Sequence, residues 1–130
     1  MKFQQYFQIS FIILLQLSSS STFIQDLDKS NFKTVIADNP YILVEFYAPW
    51  CHFCKEFAPE YEKVAKILQE KNVPIQVAKV DAISEKDIAD EQDIGSYPTV
   101  KLFKNGYSLN YHGERQAEDI FKWLLRNTDQ

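Results

Sequence analysis

Residues Tyr41 to Ala48 read Tyr-Ile-Leu-Val-Glu-Phe-Tyr-Ala, a nearly continuous apolar run with no polar alternation. A strand with one wet face alternates; a strand covered on both faces does not. A second such run, Val73 to Asp81, carries Ile75, Val77 and Val80 as β-branched members. Between them, from Cys51 to about Lys71, Phe57, Tyr61, Val64, Ala65 and Leu68 recur at helical spacing. Two doubly buried strands joined by an amphipathic helix require a sheet with helices packed against it. Pro59 falls inside that helix and is expected to kink it.

The remaining segments complete the same pattern. Phe23 to Leu27 alternates enough for a short strand, and Asp28 or Ser30 is placed to cap a helix through about Asp38, stopped by Asn39-Pro40. Ser84, with Asp87 three residues on, predicts a capped helix to about Gln92. Gly95-Ser96-Tyr97-Pro98 reads as a turn. Thr99 to Phe103 and Tyr107 to Tyr111 read as a hairpin around Asn105-Gly106. Ala117 to Asn127 closes the chain as a helix with Ile120, Phe121, Trp123, Leu124 and Leu125 on its apolar side. The order predicts parallel βαβ crossovers, an antiparallel edge from the hairpin, and an α/β sandwich: a mixed central sheet of about five strands with helices on both faces.

The first residues belong to a different class. Phe7 to Leu17 is mostly apolar, is preceded by Lys2, and is followed by four serines and a threonine, Ser18 to Thr22. A short apolar core ending in small residues reads as a secretory signal peptide, here residues 1–21, and the run falls short of the roughly 20 residues that span a bilayer; an uncleaved anchor is the alternative, given the single lysine and the internal glutamines. Residues 22–130 then form one domain of ordinary size. Its core draws on 10 Phe, 7 Tyr and 2 Trp. A net charge of −4 argues against a nucleic-acid surface. The last residues, Asn127-Thr128-Asp129-Gln130, differ from a Lys/His-Asp-Glu-Leu retrieval signal, so secretion is compatible with the sequence.

Cys51 and Cys54 are the only cysteines. A disulfide between them would close a very short loop and stabilise little. Two thiols alone do not complete a tetrahedral zinc site. Redox chemistry remains, provided the surroundings make one thiol reactive; the alternative is a pair of core cysteines with no chemistry. The pair lies where a central strand passes into a helix, the usual place for chemistry in open α/β sheets. Cys51 opens the helix, where unsatisfied N–H groups and the dipole favour thiolate over thiol. Cys54, one turn in, meets fewer donors and is more enclosed, which assigns attack to Cys51 and resolution of a mixed disulfide to Cys54. Glu45 is an ionisable group in an apolar strand, where desolvation raises a carboxyl pKa.

The run VEFYAPWCHFCKEFAPEY (44–61), with VAKVDA (77–82), SYPTVKLF (96–103) and DIFKWL (119–124), closely resembles the catalytic domain of protein disulfide isomerases in the thioredoxin superfamily. The resemblance covers nearly all of residues 23–127 and implies a thioredoxin-like three-layer sandwich. It implies that Glu45 moves protons to and from Cys54, that Lys79 on the neighbouring strand pairs with Glu45, and that Pro98 is a cis-proline facing the disulfide. The Tyr97 backbone would then pair with a substrate peptide beside Trp50. Arg115, within YHGERQAEDI (111–120), aligns with a mobile arginine that lowers the resolving thiol's pKa. One departure stands out. Members with strong isomerase activity usually carry Gly-His between the cysteines, whereas this chain carries His52-Phe53. His52 points some 100° around the helix from Cys51, so a less oxidising pair is expected. Gly95-Ser96 also departs from the family's usual glycine just before the aromatic.

The resulting expectation is a thiol–disulfide oxidoreductase of the secretory pathway or endoplasmic reticulum lumen. It would need no cofactor or metal, would act on folding client proteins, and would exchange electrons with glutathione or another thiol protein. Two rivals are carried: a client-binding, chaperone-like module with little redox activity, and a metal-handling protein using Cys51, Cys54, His52 and His112.

Overall fold

The computed structural model describes residues 23–130, so the expected signal segment lies outside the described residues. Nine elements follow in chain order: β1 (Gln25–Leu27), α1 (Phe32–Asp38), β2 (Tyr41–Tyr47), α2 (His52–Glu70), β3 (Gln76–Asp81), α3 (Lys86–Glu91), β4 (Thr99–Lys104), β5 (Tyr107–Asn110) and α4 (Ala117–Asn127). The strands form one mixed sheet in the order β1-β3-β2-β4-β5. This is the predicted three-layer α/β architecture.

The uninterrupted apolar run of β2 is explained by its central place, between β3 and β4. Ile42, Val44 and Phe46 face one side, packing with Phe32 and Ile36 of α1 and Ile88 and Ala89 of α3. Leu43 faces the other, packing with Phe57, Tyr61, Val64 and Leu68 of α2 and Ile120 and Leu124 of α4. Glu45 alternates onto that second side, beneath α2. The α2 helix runs through Pro59 without a break. Asn105 and Gly106, with φ of +48° and +88°, make the two-residue hairpin turn that the Asn-Gly pair predicts.

Three expectations are corrected. Neither Asp28 nor Ser30 caps α1: Asn31 stands at its N-cap, with no side-chain hydrogen bond into the helix. The connection through α3 is not a parallel crossover: β4 pairs antiparallel with β2, Phe46 opposite Thr99 and Tyr41 opposite Lys104. The Ala82 N–H donates to the Tyr47 carbonyl at 2.8 Å and Thr99 lies opposite Phe46, so the segment carrying α3 begins and finishes at the same end of the sheet. The chain therefore stays at the carboxyl end of β2, and β4 must run back from there. Nor does Ser84 cap α3. The Asp81 carboxylate instead accepts from the backbone N–H groups of Ile83 and Ser84, at 2.9 and 3.2 Å, delaying the helix to Lys86. The antiparallel return of β4 has a functional consequence, because it brings Tyr97-Pro98 to the start of α2.

Candidate active site

Cys51 is the N-cap of α2. Its extended backbone (φ −77°, ψ 119°) turns its sulfur back over the first turn, where Sγ accepts from the Cys54 N–H at 3.2 Å. Its thiol also lies 3.6 Å from the Tyr97 carbonyl oxygen, to which it donates. A backbone N–H at a helix start stabilises negative charge on sulfur. Both cysteines are free thiols and both are buried, 7% and 5% exposed. Exposure therefore does not distinguish them, contrary to the expectation that Cys54 is the more enclosed; their partners do. Cys54 packs with Ala48 and Cys51. Burial first, then the Cys51 side chain and the charges of Cys51 and Glu45, push its pKa up to about 12 against a lowering contact from the Ala48 backbone.

Glu45 is 5% exposed, and its Oε2 has no hydrogen-bond partner. Desolvation raises its pKa to about 7, with Lys79 and Arg115 pulling the other way. A cleft of about 190 Å³ joins Glu45, Cys54 and Lys79, walled by Tyr47, Ala48, Pro49, Lys55 and Ala58. Such a space is roomy and polar enough to hold several waters. Lys79 stands in register with Glu45 on β3, but the expected pair is not a direct ion pair. Its ammonium lies 3.9 Å from Asp26 of β1 and 5.8 Å from the centre of the Tyr47 ring. The physical reason is solvation: Asp26 is largely exposed, so the lysine keeps its water instead of desolvating toward a buried acid. Lys79 acts on Glu45 across space.

An aromatic rim surrounds the sulfurs. Trp50 and Phe53 are exposed, and Trp50 meets Tyr97 edge to face at 5.9 Å. The Tyr97-Pro98 peptide is cis, as the resemblance implies. His52 turns away from Cys51 and pairs with Glu56 at 2.9 Å, one turn along. Phe53 lies between the His52 ring, 6.0 Å away, and the Arg115 guanidinium, 5.8 Å from its centre. All eight expected residues thus gather at one end of the sheet, with Lys79 contributing from the side.

Two contributors escaped the sequence reading. Lys101, on the α3 side of β4, is buried and donates to the Gln92 carbonyl at 2.6 Å, anchoring the segment that leads into Tyr97-Pro98. Nothing in Thr-Val-Lys-Leu-Phe marks this lysine as buried except its alternation with Val100. Tyr61 sends its hydroxyl to the Leu43 and Ala78 carbonyls, at 3.1 and 2.7 Å, pinning α2 to β2 and β3. A tyrosine among core positions was the available signal. Among the described residues, no three His, Cys, Asp or Glu side chains gather to hold a metal ion.

The arrangement has one sulfur held by a helix-start N–H and a second kept protonated beside a buried acid. It is suited to two-step thiol exchange. The chain is 52% identical over 98 residues to a protein disulfide-isomerase of Drosophila melanogaster, covering 75% of this chain and 20% of that relative. Among solved structures, the first thioredoxin domain of mouse protein disulfide-isomerase A4 superposes with a TM-score of 0.72 at 44% identity, covering 78% of this chain and 72% of that one. The zinc-bound form of human ERp44 superposes with a TM-score of 0.76 at 30% identity, covering 80% and 31%. The chain thus spans about a fifth of the length of the disulfide-isomerase it matches. Residues 23–126 match the Thioredoxin family model, and the chain belongs to the thioredoxin family.

Proposed function

We propose that this protein is a thiol–disulfide oxidoreductase of the disulfide-isomerase type acting on client-protein cysteines. Cys51 attacks a client disulfide, forming a Cys51–client mixed disulfide and releasing the client's other sulfur as a thiolate that takes up a proton. Cys54 then attacks the Cys51 sulfur, forming the Cys51–Cys54 disulfide and freeing the reduced client. Run backwards, the same two steps oxidise a client dithiol. Glutathione or another thiol protein restores the starting state.

The observation that carries this reading is the shared cleft of Cys54 and Glu45. A thiol whose pKa is about 12 is not a nucleophile near neutrality, because the thiolate is the attacking form. A carboxyl whose pKa is about 7 is matched to take that proton. Lys79 and Arg115 tune the acid by opposing its burial. Tyr97, Pro98 and Trp50 form the surface on which the client segment lies, its backbone pairing with the Tyr97 main chain. We place the protein in the secretory pathway on the reading of residues 1–21 and the isomerase resemblance; among the described residues, no helix is long and apolar enough to cross a membrane.

Reactivation of scrambled ribonuclease tests the activity. Wild type should restore activity, Cys51→Ser should abolish it, and Cys54→Ser should bind the client covalently and turn over poorly. Equal reactivation by all three proteins would refute the reading. Client retention without reactivation, unaltered in both variants, would establish the chaperone-like alternative.

A further inference from the structure

We propose that Phe53 is a positioning residue: its ring holds the Arg115 guanidinium at the rim of the cysteine site and thereby sets the distance between that cation and the Glu45–Cys54 cleft. The proposal rests on the exchange reading above and assigns a role to the residue by which this chain departs from the Gly-His arrangement.

The backbone on both sides of Arg115 is tied down. Toward α4, the Ala117 N–H donates to Glu60 Oε2 of α2 at 2.9 Å. Toward β5, the Tyr111 hydroxyl donates to the Glu114 carbonyl, and the Tyr111 ring meets Trp123 edge to face at 5.2 Å. Position 113 must be glycine for that lock to close, since a Cβ there would stand 2.5 Å from the Tyr111 oxygen. The side chain is held differently. Among the described residues, no carboxylate lies within 4 Å of Arg115, and its guanidinium carbon stands 5.8 Å from the centre of the Phe53 ring. That is cation–π range. Phe53 is itself 59% exposed, so the ring does little for the core and leaves a face open to the arginine.

From this position the cation reaches the buried acid. The groups facing Glu45 and Cys54 are Lys79 from β3, Tyr47 from β2, Tyr61 and Cys51 from α2, and Arg115 from the loop before α4. Lys79 is engaged by Asp26 and Tyr61 by two carbonyls. Lys79 also meets the Tyr47 ring, but of the two cations only Arg115 has an aromatic face and no carboxylate partner among the described residues. Without the ring, the guanidinium swings into solvent and its favourable field at Glu45 weakens. Proton removal from Cys54 then requires a higher pH.

The test follows the two colour-releasing steps of dithiobis-nitrobenzoate with the full chain. Cys51 attacks the reagent disulfide and releases one thionitrobenzoate. Cys54 then attacks the Cys51 sulfur and releases the second, so two thiols are oxidised as one reagent disulfide is reduced. The rate of the second step is measured from mildly acid to mildly alkaline pH in wild type, F53L, F53Y, R115Q and F53L/R115Q. F53L should move the profile to higher pH and slow the step about twofold to fivefold near neutrality, the range an exposed cation–π contact supports. F53Y should restore the wild-type profile, and F53L should add nothing once R115Q is present. An unshifted F53L profile, or an F53L effect undiminished in the R115Q background, would overturn the proposal. Absence of a second release in wild type would instead overturn the exchange reading on which it stands.

Discussion

At Glu45 a carboxyl occupies a core position where an aliphatic side chain would pack, and its Oε2 is left without a partner. The consequence is a pH-dependent stability. Burial raises the pKa from 4.5 to about 7, so between those values the folded state holds a proton that the unfolded state has released. Stability is therefore fully present below the unfolded value and is lost as pH rises through the folded one, by roughly 3 kcal/mol at most. Urea unfolding of reduced protein should show that slope in wild type and not in Glu45→Gln; parallel profiles would contradict it. The buried acid was legible because one charge interrupts an apolar run. The destination of the Lys79 ammonium was not, because a long flexible side chain chooses between Glu45 and Asp26 by solvation, which register alone does not encode. The Phe53–Arg115 contact was hidden for a related reason: the two residues are distant in the chain, and only the packed loop before α4 brings them together.

Among the elements, α2 joins the sulfurs to the sheet, and Tyr61 is its polar anchor. Tyr61→Phe removes the hydroxyl shared by the Leu43 and Ala78 carbonyls and should cost about 1–2 kcal/mol of stability, measured by denaturant unfolding; no loss would show that this anchor does not hold the helix. In the hairpin, Gly106 has φ of +88°. Gly106→Ala should cost about 1 kcal/mol and leave thiol exchange unchanged, since the turn lies at the far end of β4. Element type was legible where the period was strong: α4 has the predicted bounds, and α2 differs only at its ends. Strand direction was less legible. The seven-residue α1 joins parallel strands and the six-residue α3 antiparallel ones, so helix pattern alone does not encode direction, and the late start of α3 was decided by the competing Asp81 turn.

For the whole molecule, the mixed topology matters because three separate stretches of chain meet at one end of the sheet: the β2–α2 junction, the Tyr97-Pro98 peptide and the loop carrying Arg115. The redox poise is set there as well. With His52 drawn to Glu56 and a phenyl ring beside Cys54, no cation on the intervening residues faces the Cys51 sulfur. The His52→Gly/Phe53→His double variant should therefore become more oxidising. In glutathione buffers its dithiol fraction should rise several-fold relative to wild type, since thiolate stabilisation weakens the disulfide; an unchanged midpoint would contradict this. The division of labour between the sulfurs is tested most directly by trapping with a disulfide-containing client, read by intact mass and peptide mapping. Cys54→Ser should accumulate a client mixed disulfide at Cys51, and Cys51→Ser should accumulate none. Equal trapping by both variants, or trapping through Cys54 alone, would contradict the assignment of attack to Cys51 and resolution to Cys54.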